Sequence, residues 1–229
     1  MTRARGAAAL ALASGLVLHL SAAVAPASEG SAGVVQKFLS SQAGTHSYRA
    51  TRRLEAAGSG LRAWMEAETE FAPGDGFRYE VTAEGGSRII RSRVLRSLLE
   101  EERQLIARGG SGEVALSPAN YHFMLEGVDE DGLARVGLQP LRKERALIAG
   151  EMLVQPDDGA LVRLEGQLAK NPSFWTKRVD VVRSYERIND VVMPVTLESK
   201  AQLRLFGGST LRMTYRYSEI DGRPVADPR

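Results

Sequence analysis

Between Tyr48 and Ile220 apolar and polar residues alternate one by one, and the pattern gives way to a different one at a single long stretch, residues 88–107. A period of two is what a strand with one buried face requires. Strand-like segments that follow one another through short turns, without a helix after each, exclude a parallel α/β fold.

The first three segments read as a meander with one wet face. Tyr48, Ala50 and Leu54 alternate with Arg49, Thr51 and Arg53. Leu61, Ala63, Met65, Ala67 and Phe71 alternate with Arg62, Trp64, Glu66, Glu68 and Glu70. After Pro73-Gly74-Asp75-Gly76, Phe77, Tyr79 and Val81 alternate with Arg78, Glu80 and Thr82. Beyond the break, strands are predicted over 120–127, 132–139, 146–155, 159–168, 174–188, 193–206 and 209–220. Asp131-Gly132, Asp157-Asp158-Gly159, Asn189-Asp190 and Gly207-Gly208 supply the turns. The total is about ten strands. The last three are long against a usual ~5–6 residues, which suits a curved antiparallel sheet or barrel better than a flat sandwich.

Two segments carry a helical period instead. Residues 32–43 place Val34, Val35, Phe38 and Leu39 on one face, an N-terminal helix. In 88–107, Ile90, Val94, Leu95, Leu98, Leu99, Leu105 and Ile106 recur at three- and four-residue spacing, an amphipathic lid or plug helix. Its arginines 91, 93 and 96 lie early, where they oppose the helix dipole, and Glu100, Glu101 and Glu102 lie midway. Gly85-Gly86 before it and Gly109-Gly110 after it read as hinges that let it move.

The first 27 residues read as an address. Arg3 and Arg5 precede an apolar run from Ala7 to Val24, and Ala25-Pro26-Ala27-Ser28 is a small-x-small site. The run is also about as long as a short membrane span, so an uncleaved anchor is the alternative. No later stretch is long and apolar enough to span a bilayer. The expected organisation is a signal peptide, 1–27, and one exported periplasmic domain, 28–229, without a stable transmembrane segment after cleavage.

Of the 30 Lys and Arg residues against 28 Asp and Glu, two arginines belong to the leader, so the remainder balances at 28 against 28. A neutral chain argues against a nucleic-acid partner held by a basic face. The absence of cysteine excludes disulfides, thiolate metal sites and cysteine nucleophiles.

Catalytic signals are thin. His46 and His122 stand alone, and there is no zinc-ligand spacing, nucleophile elbow or phosphate-binding glycine loop. Glu66, Glu68 and Glu70 share a wet strand face. Asp157 and Asp158 lie in a turn, as do Asp129 and Asp131. Arg49, Arg53, Arg62, Arg78, Arg178, Arg204, Arg212 and Arg216 read as their partners. The reading is a non-enzyme without cofactor or metal, with a carboxylate-dependent hydrolase as a distant alternative.

A curved sheet with one apolar face, crossed by one amphipathic helix, leaves a greasy slot if the filling is incomplete. Met65, Phe71, Phe77, Tyr79, Leu211, Met213 and Tyr215 are the candidate ligand-binding residues of that slot; the simpler alternative makes them core. The segments GFRYEV (76–81), LQPLRKE (138–144), GEMLVQPDDGALVRLEGQL (150–168) and FWTKRVDVVRSYERINDVVMPVTLESKAQLRLFGGSTLRMTYRY (174–217) resemble the outer-membrane lipoprotein-sorting proteins, the LolA/LolB-like superfamily. The resemblance spans roughly 48–222 and lies in the order of strands and turns. It implies a half-closed antiparallel barrel lidded by helices, with an apolar cavity for the acyl chain of a lipid or lipoprotein. The helix at 88–107 departs from the best-known carriers, which continue with strands there, and no functional residue transfers one-to-one. The function expected is an acyl-chain carrier or chaperone of the bacterial envelope. The alternative is a periplasmic protein-binding or envelope-stress sensor module with envelope protein partners.

N-terminal sequencing of the protein recovered from the cell envelope should begin at Ser28. Intact Met1 in the cytoplasmic fraction would contradict the leader reading.

Overall fold

A computed structural model describes residues 29–42, 44–174, 176–204 and 207–226; the leader reading falls outside them. The chain forms helix α1 (Glu29–Ser41), then β1 (Tyr48–Gly58), β2 (Leu61–Ala72) and β3 (Gly76–Gly86). A long helix follows over residues 88–107. Then come β4 (Tyr121–Val128), β5 (Ala134–Pro140), β6 (Ile148–Val154), β7 (Leu161–Leu168), β8 (Thr176–Ile188), β9 (Val191–Leu203) and β10 (Gly208–Ile220), with a two-residue β11 (Arg223–Pro224).

All strands join one antiparallel sheet in the order β3-β2-β1-β10-β9-β8-β7-β6-β5-β4, with β11 beside β10. This is two meanders sewn together where β1 pairs with β10, Leu54 opposite Met213. The sheet is open: β3 and β4 are its two edges. They are consecutive strands in the chain, so the segment between them has to travel from one edge to the other. The 88–107 helix makes most of that crossing.

Tight turns set the register. Asn189 and Asp190 both take positive φ, 49° and 67°, and Ile188 pairs directly with Val191 across them. That is the two-residue hairpin turn whose twist matches the strands. The faces follow. Leu211, Met213, Tyr215 and Tyr217 are buried on β10, while Thr210, Arg212 and Arg216 are exposed. On the outer face charges pair across strands: Arg53 with Glu66 at 2.9 Å, Arg135 with Glu151 at 2.7 Å, and Arg49 with Glu70 at 3.5 Å. Such exposed pairs contribute little each, about 0.2–1 kcal/mol.

The long helix departs from regular winding. Residues Arg91–Leu95 form a π turn, in which the Arg96 N–H donates to the Arg91 carbonyl five residues back. Ile90 and Leu95 would diverge on a regular α-helix; the wide turn leaves both buried. Its early arginines have a use beyond the dipole: Arg91 and Arg96 both bond Glu84 of β3, at 2.6 and 2.9 Å. The expected hinge before the helix is not free. Gly85 and Gly86 pair with Trp64 and Ala63, and a Cβ on Gly86 would lie 2.3 Å from the Arg62 carbonyl oxygen. The reason is tertiary, because β2 is long enough to hold the last residues of β3.

Helix α1 docks at the turn between β6 and β7. Phe38 is fully buried and meets Phe123 of β4 at 6.1 Å. Lys37 donates to the Pro156 carbonyl at 2.9 Å, and the Ser41 hydroxyl donates to the Gly159 carbonyl at 3.2 Å. Gly159 has φ of +75°, and a Cβ there would fall 2.2 Å from the Phe38 nitrogen. Gly159→Ala should therefore cost roughly 2–4 kcal/mol in urea denaturation, from backbone strain and overpacking together. Gly132→Ala, at φ +82° with open space around it, should cost about 1–2 kcal/mol, strain alone.

Candidate functional site

The concave face of the sheet holds two charges in its core. On β1 the buried residues are Ala50, Arg52, Leu54 and Ala56, so Arg52 points inward with the aliphatic side chains. On the long helix the buried stripe runs Leu95, Leu98, Leu99, Glu102, Leu105. Arg52 and Glu102 meet there, each side chain 1% exposed. Arg52 Nη1 donates to Glu102 Oε2 at 2.6 Å and Nη2 to Oε1 at 3.0 Å, a two-pronged pair. Nη2 also donates to the Tyr48 hydroxyl at 2.6 Å. The rings of Phe77 and Tyr215 each lie 4.8 Å from the guanidinium carbon. Burial is the largest single influence and works against the Arg52 charge, but the Glu102 carboxylate with Tyr48 and Tyr215 together outweigh it, and its pKa rises well above the ordinary value.

A cavity opens beside this pair, between the sheet and the helix. Tyr48, Arg52 and Phe71 form one wall, Arg183 and Tyr185 of β8 the opposite one, and Tyr215 and Tyr217 lie between them. Ile106 of the helix and Val191, Val192, Met193 and Pro194 of β9 supply an apolar rim, and Gln42 and His46 stand nearby. The aromatic rings pack on each other: Tyr48 on Phe71 at 5.9 Å, and Tyr215 on Tyr217 at 6.1 Å. Burial pushes the Tyr48 and Tyr217 hydroxyls up, so they remain neutral, and Tyr217 donates to the Pro194 carbonyl at 2.8 Å. The cavity measures about 100 Å³. One water needs ~10–15 Å³ and a benzene-binding cavity is ~150 Å³. The space therefore takes more than a water and less than a long chain unless the helix yields.

Of the seven residues singled out from the sequence, Phe71 and Tyr215 line this cavity. Met65, Phe77, Leu211 and Met213 are buried in the surrounding core, with Phe77 against the Arg52 guanidinium. Tyr79 is half-buried and donates to Glu100 Oε2 at 3.4 Å. Sequence reasoning passed over Arg52, Glu102, Arg183 and the three further tyrosines, Tyr48, Tyr185 and Tyr217, as site residues. The signal was present in phase: Arg52 has the parity of Ala50 and Leu54, and Glu102 falls on the leucine stripe.

Several other titratable groups make structural contacts. His46 Nδ1 lies 2.6 Å from Asp221 Oδ2, and Asp221 Oδ1 accepts the Ser47 N–H at 2.9 Å. Glu66 and Glu70 bond arginines on the outer face, Glu68 accepts from Thr51, and Asp158 pairs with Arg187. No group of three or more metal-binding side chains occurs among the described residues. No helix among them is long and apolar enough to cross a membrane.

No family model and no curated protein matches the chain. Among solved structures it is similar to a DUF1329 family protein from Desulfovibrio piger, with 12% identity, coverage of 83% of this chain and 90% of that one, and a TM-score of 0.42. It is also similar to a LolA superfamily protein from Nitrosomonas europaea, with 11% identity, coverage of 85% and 94%, and a TM-score of 0.37.

Breaking the buried pair leaves one charge in the core without its partner. Arg52→Met or Glu102→Leu alone should cost about 3–5 kcal/mol in chemical denaturation. The double substitution should recover most of that loss, since an apolar pair removes both desolvation penalties. A double variant as unstable as the sum of the singles would contradict the pairing.

Proposed function

We propose that the chain is an exported, non-enzymatic carrier or chaperone that holds the acyl chain of a lipid or lipoprotein between the sheet and the long helix. The mature unit would be one domain, 28–229, working in the periplasm. The observation that carries this reading is the cavity on the concave face of an open sheet, with an apolar rim and a helix across it. A carrier needs a shielded apolar site, because a permanently open slot would leave a large greasy patch in water. Phe71 and Tyr215 are assigned as ligand contacts, with Ile106, Val192 and Met193 at the rim.

Loading a long chain requires the helix to lift. Its first turns are held to β3 through Glu84, whereas Gly109 at its far end takes φ of +71° with open space around it. In this reading the C-terminal end is the one that moves, opening the side lined by Ile106. A sensor or protein-binding role is favoured by one other observation. Edge strand β4 exposes Met124 and Val128, 63% and 64% accessible, beside unpaired backbone groups.

Titration of the purified protein with a fluorescent long-chain fatty acid should saturate at one equivalent. Val192→Trp, which narrows the rim from a half-buried position, should weaken binding about tenfold or more without lowering the unfolding midpoint. Absence of saturable binding would remove the carrier reading and leave the β4 edge as the working surface.

A further inference from the structure

The cavity is lined by two arginines and no carboxylate. Arg52 has both terminal nitrogens on Glu102, although its Nε, like that of Arg183, is buried without a hydrogen bond among the described residues. Arg183 makes no two-pronged pair of that kind: Tyr185 is its hydrogen-bond partner, and the Glu102 charge acts on it more weakly. It follows Val179 and Val181 on the inward side of β8, half-buried, with its guanidinium on the cavity wall between Tyr185 and Tyr215. Its Nε is shut off from solvent and makes no hydrogen bond among the described residues. A buried, incompletely bonded guanidinium is costly unless an acceptor reaches it. Two guanidinium charges against the single Glu102 carboxylate leave one positive charge in this part of the core.

We propose that Arg183 is the head-group site of the cavity, and that the ligand is an amphiphile with a single free carboxylate, such as an unesterified fatty acid. This rests on the carrier reading and narrows it. One excess charge matches a monoanion; a doubly charged phosphate would bring a second charge into a region of low polarity. The planar fork of arginine fits a carboxylate with two parallel hydrogen bonds. The volume, about 100 Å³, suits a head group and its first carbons. From there Phe71, Ile106 and Met193 lead an apolar tail toward the rim and the movable end of the helix. An ester-linked acyl chain offers no charge and would leave Arg183 as it stands.

The test compares decanoate, methyl decanoate and butyrate by calorimetry on the mature protein. A charge-assisted bond is worth roughly tenfold to a hundredfold in affinity. Decanoate should bind wild type at least tenfold more tightly than its methyl ester, and Arg183→Gln should abolish that difference while ester binding persists. Arg212→Gln, on the exposed face of β10, should preserve it. The acid-to-ester ratio in wild type stands even if Arg183→Gln fails to fold. Equal binding of acid and ester would overturn the head-group site and leave the carrier reading in place. Binding of butyrate and decanoate with equal affinity would support the anion site and overturn the carrier reading. No binding of any of the three would overturn both.

Discussion

Arg52 and Glu102 join the middle of the sheet to the helix that crosses it, through two charge-assisted hydrogen bonds buried in the core. A pair like this adds little net stability compared with two apolar side chains, because removing both charges from water offsets their attraction. Its effect is on alternatives. A helix docked one turn out of place would bury both charges unpaired, a penalty of several kcal/mol. The leucines at 95, 98, 99 and 105 are tolerant of small shifts; the ion pair is not. Tyr48, Phe77 and Tyr215 close around the guanidinium and carry that register into β1, β3 and β10.

The helix is there for a topological reason. Two antiparallel meanders share the β1–β10 seam, which puts β3 at one edge of the sheet and β4 at the other. Any connection between them must cross the mouth. A helix with one apolar stripe crosses and covers the concave face together. The π turn at Arg91–Leu95 adjusts its phase so that Ile90 remains on the buried side after leaving β3. Cover and cavity therefore arise from the same connection, and the cavity lies where the helix and the β8–β9 hairpin do not quite meet.

Much of this is readable from residue order. The strands, their faces and most of the turns follow from the period of two and from Asp, Asn and Gly at the turns. The boundaries moved by only a few residues, as at Ala134 and Val191. Of the outer-face arginines, Arg49, Arg53, Arg78 and Arg212 pair with glutamates as their alternation implies, whereas Arg204 lies over the Phe174 ring. The site was less so. Phe71 and Tyr215 were legible as large residues on the apolar face, but so were Met65 and Met213, which pack as core. Which members of an apolar face border a void depends on how neighbouring elements fill it, and that is not a local property.

By itself the sequence determined the class: a curved antiparallel sheet of about ten strands, an N-terminal helix and one crossing helix. Alternation and turn chemistry are local and repeat along the chain, so each segment states its own conformation. Tertiary structure decided what the two misplaced charges mean. An arginine in phase with aliphatic residues on β1 and a glutamate on a leucine stripe are separated by fifty residues, and only folding places them at 2.6 Å. It also decided that Arg183, on a strand far from both, faces the same space without a carboxylate of its own. Long-range electrostatics depends on which charges end up together in low dielectric, and no local period encodes that.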